Sequence, residues 1–345
     1  MKIAQVAPLF ESVPPRLYGG TERVVAYLSE ALVELGHQVT LFASGDSTTS
    51  AELDAVWPAA LRIDYSSPGT IIPHLVMMER VRRRAQEFDI IHFHLDLFPL
   101  SLFSRQPTPF VTTLHGRVDR PELKPVYNLF KETPLISISN AQRNGLPTAN
   151  WVDTVYHGLP QHLHTPQQMT RTYLAFLGRI TPVKKVEAAI RIAQQCNIPI
   201  KIAARVEAGD RAYFEQDISP LLDSPLVEYV GEIDEQQKTA FLAGALALLF
   251  PIEWPEPFGL VMIEAMACGT PVIAFPFGSV PEVIEDGVTG FIVSDEAQAV
   301  AAVHNVSQLS AVRIREQFEK RFCARQMAEN YVHAYQSLID QSSPR

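Results

Sequence analysis

Three cysteines are all that this chain of 345 residues contains. They stand far apart, at Cys196, Cys268 and Cys323. An odd number without C-x-x-C spacing excludes a disulfide framework and a cysteine zinc site, and leads us to expect reduced thiols in a cytoplasmic protein. An excess of positive charge is also missing: 29 Lys and Arg face 38 Asp and Glu, for a net charge of −9. That argues against nucleic acid as the main partner, although local charge still allows an anionic ligand. The longest apolar run, Ala240 to Ile252, is interrupted by Gly244 and Pro251. It is too short to span a bilayer and reads as a helix end followed by a buried strand. Met1–Phe10 lacks a basic region followed by an apolar core and a small-residue cleavage site, so no secretory leader is expected.

What is present fits a soluble α/β protein. A hydrophobic share of 47% beside 19% charged residues is that of a globular chain, and 345 residues exceed one average core, so two domains are expected. Lys2–Ala7 is an apolar run ending at Pro8. A loop with Gly19 and Gly20 follows, then a helix from Thr21 carrying Val24, Val25, Leu28, Ala31, Leu32 and Leu35 at helical spacing, and a strand at Val39–Ala43. Strand, glycine loop, helix and strand make a βαβ unit and hence a parallel sheet. Further strands are expected at Asp89–Phe93, Phe110–Leu114, Leu135–Ser139 and Thr154–Tyr156. The rhythm breaks between about His157 and Thr170, which places a domain boundary at 165/166. It restarts with strands at Tyr173–Leu177, Ile200–Ala204, Val227–Val230, Leu246–Phe250 and Val272–Phe275, separated by helices at Val186–Cys196, Ala212–Leu222 and Asp234–Ala245. The tail is helical by pattern, its last helix spanning Gln326–Ile339.

One stretch, Trp254 to Pro271, changes from loop to helix in mid-course. Pro255 and Pro257 exclude a helix before Phe258, and Gly259 to Cys268 are mostly good helix formers. Glu256 is therefore expected in the loop and Glu264 on the helix, about 7 Å along its axis. The first amides of that helix, at Phe258, Gly259 and Leu260, lack intrahelical partners and suit a phosphate, while the two carboxylates suit hydroxyls. Taken alone, the E-x7-E spacing reads equally as an amphipathic helix with two solvated glutamates.

Other candidates fall at expected strand ends, where open α/β sheets bind ligands. Gly19-Gly20-Thr21 places small residues at a helix start without forming G-x-G-x-x-G; it is a phosphate corner or a plain turn. His115, followed by Gly116, ends a strand and reads either as a structural or as a functional histidine. Arg179, Lys184 and Arg205 can supply phosphate-binding charge or stand as surface cations. His92 and His94 lack a third convergent ligand and read as structural. Arg80, Arg82, Arg83 and Arg84, on an expected helix at His74–Phe88, form a solvated face paired with Glu79 and Glu87 or a weak membrane-facing surface.

Taken together, these residues resemble glycosyltransferase family 4, the retaining, sugar-nucleotide-dependent transferases of GT-B architecture. The likeness is carried by Glu256-Pro257-Phe258-Gly259-Leu260 and Glu264-Ala265-Met266-Ala267-Cys268-Gly269-Thr270-Pro271-Val272. Gly278-Ser279-Val280-Pro281-Glu282, Asp286-Gly287-Val288-Thr289-Gly290-Phe291, Gly19-Gly20-Thr21-Glu22-Arg23 and Gly178-Arg179 with Lys184 extend it. The resemblance implies two Rossmann-like domains facing across a cleft: residues 1–165 for the acceptor and 166–324 for the donor, with a helix at about 325–345 crossing back to the first. It implies that Glu256 contacts the donor sugar, Glu264 the ribose, and Phe258, Gly259 and Leu260 the sugar and phosphate. It assigns Arg179 and Lys184 to the diphosphate, the Gly19-Gly20 corner to the phosphates, His115 to the reacting centre, and Ile233 to the neighbourhood of the base. Where the family has glycine after the diphosphate lysine, this chain has Lys185, so either lysine can take that role. Arg205 stands where a Gly-Lys is common.

The implied reaction transfers a hexose from a nucleotide-sugar, a UDP-sugar by family frequency, to a sugar, lipid-linked or small-molecule hydroxyl acceptor. No D-x-D motif stands beside the site, so neither metal nor cofactor is expected. Two alternatives are a sugar-nucleotide epimerase, which would isomerise the donor without an acceptor, and a non-catalytic nucleotide-sugar-binding protein.

Overall fold

A computed structural model describes residues 1–17, 19–61 and 71–342. The chain divides into two compact units, Met1–Gly158 with Ala324–Arg345, and Leu159–Cys323. The division thus falls at Gly158/Leu159, earlier than the expected 165/166. The expected last helix spans Ala324–Ser342, and residues 343–345 of the range anticipated for it lie outside the described residues.

Each unit is built on one all-parallel sheet. In the first, β1 (Lys2–Val6), β2 (Gln38–Ser44), β3 (Glu52–Trp57), β4 (Ile90–Phe93), β5 (Phe110–Thr113), β6 (Leu135–Ser137) and β7 (Trp151–Thr154) lie in the order β3-β2-β1-β4-β5-β6-β7. In the second, β8 (Tyr173–Ile180), β9 (Ile200–Val206), β10 (Val227–Gly231), β11 (Ala245–Phe250), β12 (Val272–Ala274) and β13 (Gly290–Ile292) lie in the order β10-β9-β8-β11-β12-β13. Central parallel strands are covered on both faces, which is why β11 reads as an unbroken apolar run. Val6, Phe42, Met77, Ile91 and Phe93 close the main core of the first unit, and Leu174, Phe176, Ile190, Ile202 and Leu249 that of the second.

The order of strands has a consequence for ligands. Each sheet is laid down in one direction and then reverses, between β1 and β4 in the first and between β8 and β11 in the second. The connections at such a reversal leave in opposite directions and open a crevice at the carboxyl ends of the strands.

Four elements differ from their sequence reading. The expected helix Ala212–Leu222 is broken into a short helix Arg211–Tyr213, a π turn Phe214–Ile218 and a 3-10 turn Ser219–Leu221. Pro220 lacks an amide hydrogen and crowds the carbonyl one turn earlier, so regular winding stops. The strand expected at Thr154–Tyr156 is β7 at Trp151–Thr154, and β3 and β13 escape pattern recognition altogether. All three are edge strands, which have no continuous apolar run to announce them.

The last helix packs on the helix Gly20–Glu34 within the first unit. Its Tyr331 and Tyr335, one turn apart, are fully buried. The arginine run lies on the helix Ile71–Arg84. Arg82 and Arg83 pair with Glu79, Arg84 with Glu87, and Arg80 and Arg84 also with the buried Asp54, at 2.6 and 2.7 Å. Among the described residues no helix is long and apolar enough to cross a membrane.

Candidate active site

In the second unit the candidate residues collect at the carboxyl ends of β8 to β11. Arg179 lies near the end of β8, in register with Arg205 on β9. Its Nη1 donates to Glu207 Oε2 at 3.1 Å. Ile233 follows β10 and directly precedes Asp234, which caps the helix Glu235–Ala243 through a capping box with Gln237. The loop after β11 carries Glu253, Trp254 and Glu256. Its Glu253 amide donates to the Val183 carbonyl at 2.9 Å, joining it to the loop after β8.

At that junction the two lysines take different partners. The Lys184 ammonium donates to the Glu256 carboxylate. It also lies 5.1 Å from the Phe250 ring centroid and 5.0 Å from that of Trp254, close enough for cation–π attraction. Lys185 turns the other way, 2.7 Å from Glu253 and 3.8 Å from Glu187. Its backbone is left-handed, at φ 56° and ψ 48°. This is the conformation glycine adopts freely, so the turn survives the departure from glycine at some cost in strain.

Glu256 is held in place from behind by its backbone. Its carbonyl accepts from the Ser279 amide at 3.0 Å, and the Ser279 hydroxyl donates to the Phe258 carbonyl at 2.7 Å. The preceding Gly278 has φ +58°, and a Cβ there would come within 2.3 Å of the Glu256 backbone N and O. Gly259 is the left-handed cap that turns the loop into the helix Leu260–Ala267. Phe258 is buried, while Gly259 and Leu260 are partly exposed.

Glu264 lies on that helix, 3% exposed. Its Oε1 accepts from the Lys238 ammonium at 2.8 Å, and Lys238 also reaches Glu235 at 3.4 Å. Glu235 in turn meets His164 Nε2 at 2.9 Å, and His164 Nδ1 lies 2.9 Å from the Thr239 hydroxyl. Donor atoms of His164, Glu235 and Glu264 lie within 4.8 Å of one another, near enough to share a metal ion. The Lys238 ammonium already supplies the positive charge at this place, and a cation beside it would be repelled. Lys238 was not singled out from the sequence, because a lysine on an expected helix carries no mark of its partner.

In the first unit, Gly19 and Gly20 open the helix that follows β1, and His115 follows β5. His115 Nε2 lies 2.8 Å from His94 Nδ1, and its ring stacks on that of His157 with centroids 5.2 Å apart. The Nδ1 of His115 is buried and makes no hydrogen bond among the described residues. His94 Nε2 lies 2.7 Å from Gln5 Oε1. His92 lies between Thr113 Oγ1, at 2.7 Å, and Tyr335 OH, at 2.6 Å. Burial pulls the His115 imidazole down to about 3 and holds His92, His94 and His157 well below their ordinary value, their mutual proximity adding to it. His92 and His94 are both buried and hydrogen-bonded, and His94 touches the candidate residue His115.

Comparison with known proteins gives this geometry a family. The model of the glycosyl transferases group 1 matches residues 163–321, and that of glycosyltransferase family 4 matches residues 18–187. The chain is 24% identical over 374 residues to N-acetyl-alpha-D-glucosaminyl L-malate synthase of Bacillus anthracis, covering 93% of this chain and 94% of that one. It is 32% identical over 177 residues to D-inositol 3-phosphate glycosyltransferase of Mycobacterium marinum, a match spanning 46% of this chain and 38% of that one. Its fold is similar to that of HepE from Anabaena in complex with UDP-glucose, with a TM-score of 0.75 at 18% identity over 98% of this chain and all of that one. The two parallel sheets and this likeness are those of the two-domain α/β GT-B fold.

Two outcomes follow from the site's construction. Replacing Lys185 with Gly should leave stability within about 1 kcal/mol of the parent, relief of strain offsetting the loss of an exposed ion pair. Gly278→Ala should lose about 1–3 kcal/mol by forcing the Glu256 loop aside; denaturant melts of both variants check the contrast in size. His92, His94, His157 and the partly buried His115 should also make stability depend on pH. Their folded values lie below the unfolded value of about 6.5, so the unfolded chain binds more protons as pH falls. Stability is complete above about pH 6.5 and declines below it, by about 1 kcal/mol per histidine over the first unit of pH. The denaturant midpoint should be lower at about pH 5.5 than at about pH 7.5; an unchanged midpoint would contradict the neutral, buried assignment.

Proposed function

Because the chain belongs to glycosyltransferase family 4, the glycosyl transferases group 1, we propose that it is a retaining hexosyltransferase using a nucleotide-sugar donor. The observation that carries this reading is the Lys184–Glu256 pair beside the Gly259 helix start, at the carboxyl ends of neighbouring parallel strands. A donor has hydroxyls at both ends and a diphosphate between them. Glu256 meets the sugar hydroxyls, Glu264 the ribose, and the amides of Phe258, Gly259 and Leu260 lie between. Arg179 and Lys184 neutralise the charge that builds on the departing diphosphate, with Arg205 beside Arg179 as a third cation and Gly20 supplying an amide. Ile233 lies near the base.

Lys184 has two duties in this scheme. Without donor its charge is balanced by Glu256. With donor it faces the diphosphate, and Glu256 is released to accept hydrogen bonds from the sugar. The departing phosphate takes the proton of the acceptor hydroxyl on the face it leaves, so that neither a metal nor a cofactor is required. UDP is the proposed nucleotide, supported by the UDP-glucose held by HepE. The acceptor is a hydroxyl on a sugar, a lipid-linked group or a small molecule, in keeping with relatives named for inositol 3-phosphate and L-malate. Three free cysteines support a cytoplasmic location.

A weak contact with a membrane surface fits the helix Ile71–Arg84. Ile71, Ile72, Leu75 and Val76 are all exposed on it, ahead of the exposed Arg82 and Arg83.

A thermal-shift panel of UDP-, GDP- and ADP-sugars should show stabilisation by one class, because a ligand of the native state raises its melting point. Glu256→Gln and Arg179→Ala should each lower kcat about 100-fold or more with unchanged circular dichroism; full turnover in either variant would reject the assignment. Binding to vesicles of anionic lipid should weaken on the double change Ile72→Ser and Leu75→Ser, and an equal affinity would remove the membrane contact.

A further inference from the structure

Three histidines of the first unit, His92, His94 and His115, are joined into one hydrogen-bonded chain whose polarity is set at a single residue. Gln5 lies on β1, fully buried. Its Nε2 donates to Tyr335 OH at 3.1 Å, and its Oε1 faces His94 Nε2 at 2.7 Å. A carbonyl oxygen only accepts, so His94 Nε2 carries the hydrogen. A neutral imidazole has one N–H, so His94 Nδ1 is a lone pair. It lies 2.8 Å from His115 Nε2, which must therefore donate. The remaining nitrogen of His115, Nδ1, is then bare. It is also the one that finds no partner among the described residues. The other branch agrees: Tyr335 OH, having accepted from Gln5, donates to His92 Nδ1, and His92 Nε2–H donates to Thr113 Oγ1.

We infer that the Gln5 side-chain amide, acting through His94, sets the tautomer of His115, so that His115 presents Nδ1 as an unprotonated hydrogen-bond acceptor. Gln5 and His94 are positioning residues for His115, whose Nδ1 is buried in this structure. The neutral state of His92, His94 and His115 is what makes the chain of deductions closed, since a protonated ring would donate at both nitrogens. The consequence is chemical. A group that meets His115 at Nδ1 must bring a hydrogen, as a sugar hydroxyl does; a carbonyl or phosphate oxygen would find no donor there. That consequence rests on the glycosyltransferase reading, whereas the tautomer itself does not.

A half-turn of the Gln5 amide would reverse every link at once and move the His115 proton to Nδ1, so one measurement reads the whole chain. In the full-length protein labelled with ¹⁵N-histidine, long-range proton–nitrogen correlation should show His115 protonated at Nε2 alone, its signals identified by their loss in His115→Asn. A His115 protonated at Nδ1 would overturn the inference. In Gln5→Met, which removes the amide and keeps an apolar chain of similar length, the His115 signals should move towards a mixture of tautomers. An unchanged tautomer in a folded Gln5→Met would also overturn it. Gln5→Glu retains an acceptor for His94 and should restore the parent His115 signals while shifting those of His92, because Tyr335 OH then turns to the carboxylate. Should Gln5→Met fail to fold, the parent spectrum alone decides. Failure of every nucleotide-sugar to bind would remove the proposed substrate and leave the tautomer result standing.

Discussion

The Lys184 ammonium held against the Glu256 carboxylate depends on a constraint that recurs throughout the chain: a polar group taken out of water must be paired or neutral. Lys184 and Glu256 are largely buried, and so are Lys238 and Glu264. Each carboxylate that faces the proposed donor therefore has its own lysine. Removing one partner of such a pair leaves an uncompensated buried charge and costs more than the pair contributes. Paired charge is also what allows two acidic and several basic groups to crowd one edge of a sheet before any ligand arrives. In the proposed scheme a donor exchanges partners with the pair, the lysine passing from carboxylate to phosphate and the carboxylate from ammonium to hydroxyl.

In the first unit the same constraint is met by neutrality. Desolvation lowers the pKa of His92, His94, His115 and His157, the proximity of neighbouring histidines adding to it for the first two and the last, which favours their neutral forms. Hydrogen bonds with fixed donors and acceptors replace ion pairs, and the two tyrosines of the last helix close the network at Thr113, Gln5 and His92. The last helix is thus more than a cover for the sheet. Tyr335 holds the Gln5 amide, and through it the edge of the sheet on which His115 stands.

In each unit the candidate residues occupy a reversal of strand order. Gln5 and His94 belong to β1 and the end of β4, while the Arg179–Lys184 segment and the Glu256 loop follow β8 and β11. Connections diverge only at these places, so loops there can carry side chains without covering them. The Gly278-Ser279 turn after β12 then props the Glu256 loop from below, through backbone contacts that leave room for no side chain.

By itself the sequence determined the two α/β units, their central strands and the loop-to-helix turn bearing Glu256 and Glu264. These follow from local rules: apolar runs for covered strands, prolines that forbid helix, and a glycine that caps it. Its family motifs named the residues of the proposed donor site. Edge strands β3 and β13 and the broken helix after β9 were illegible, since an edge has no apolar run and Pro220 can be read as either a late stop or an internal break. Only the tertiary structure decided which lysine faces Glu256, which lysine balances Glu264, and what His115 leans on. The partners are 72 residues apart for Lys184 and Glu256 and 330 apart for Gln5 and Tyr335. No periodicity reaches that far; the parallel sheet does, because it sets strands distant in the chain side by side and ends them at one edge.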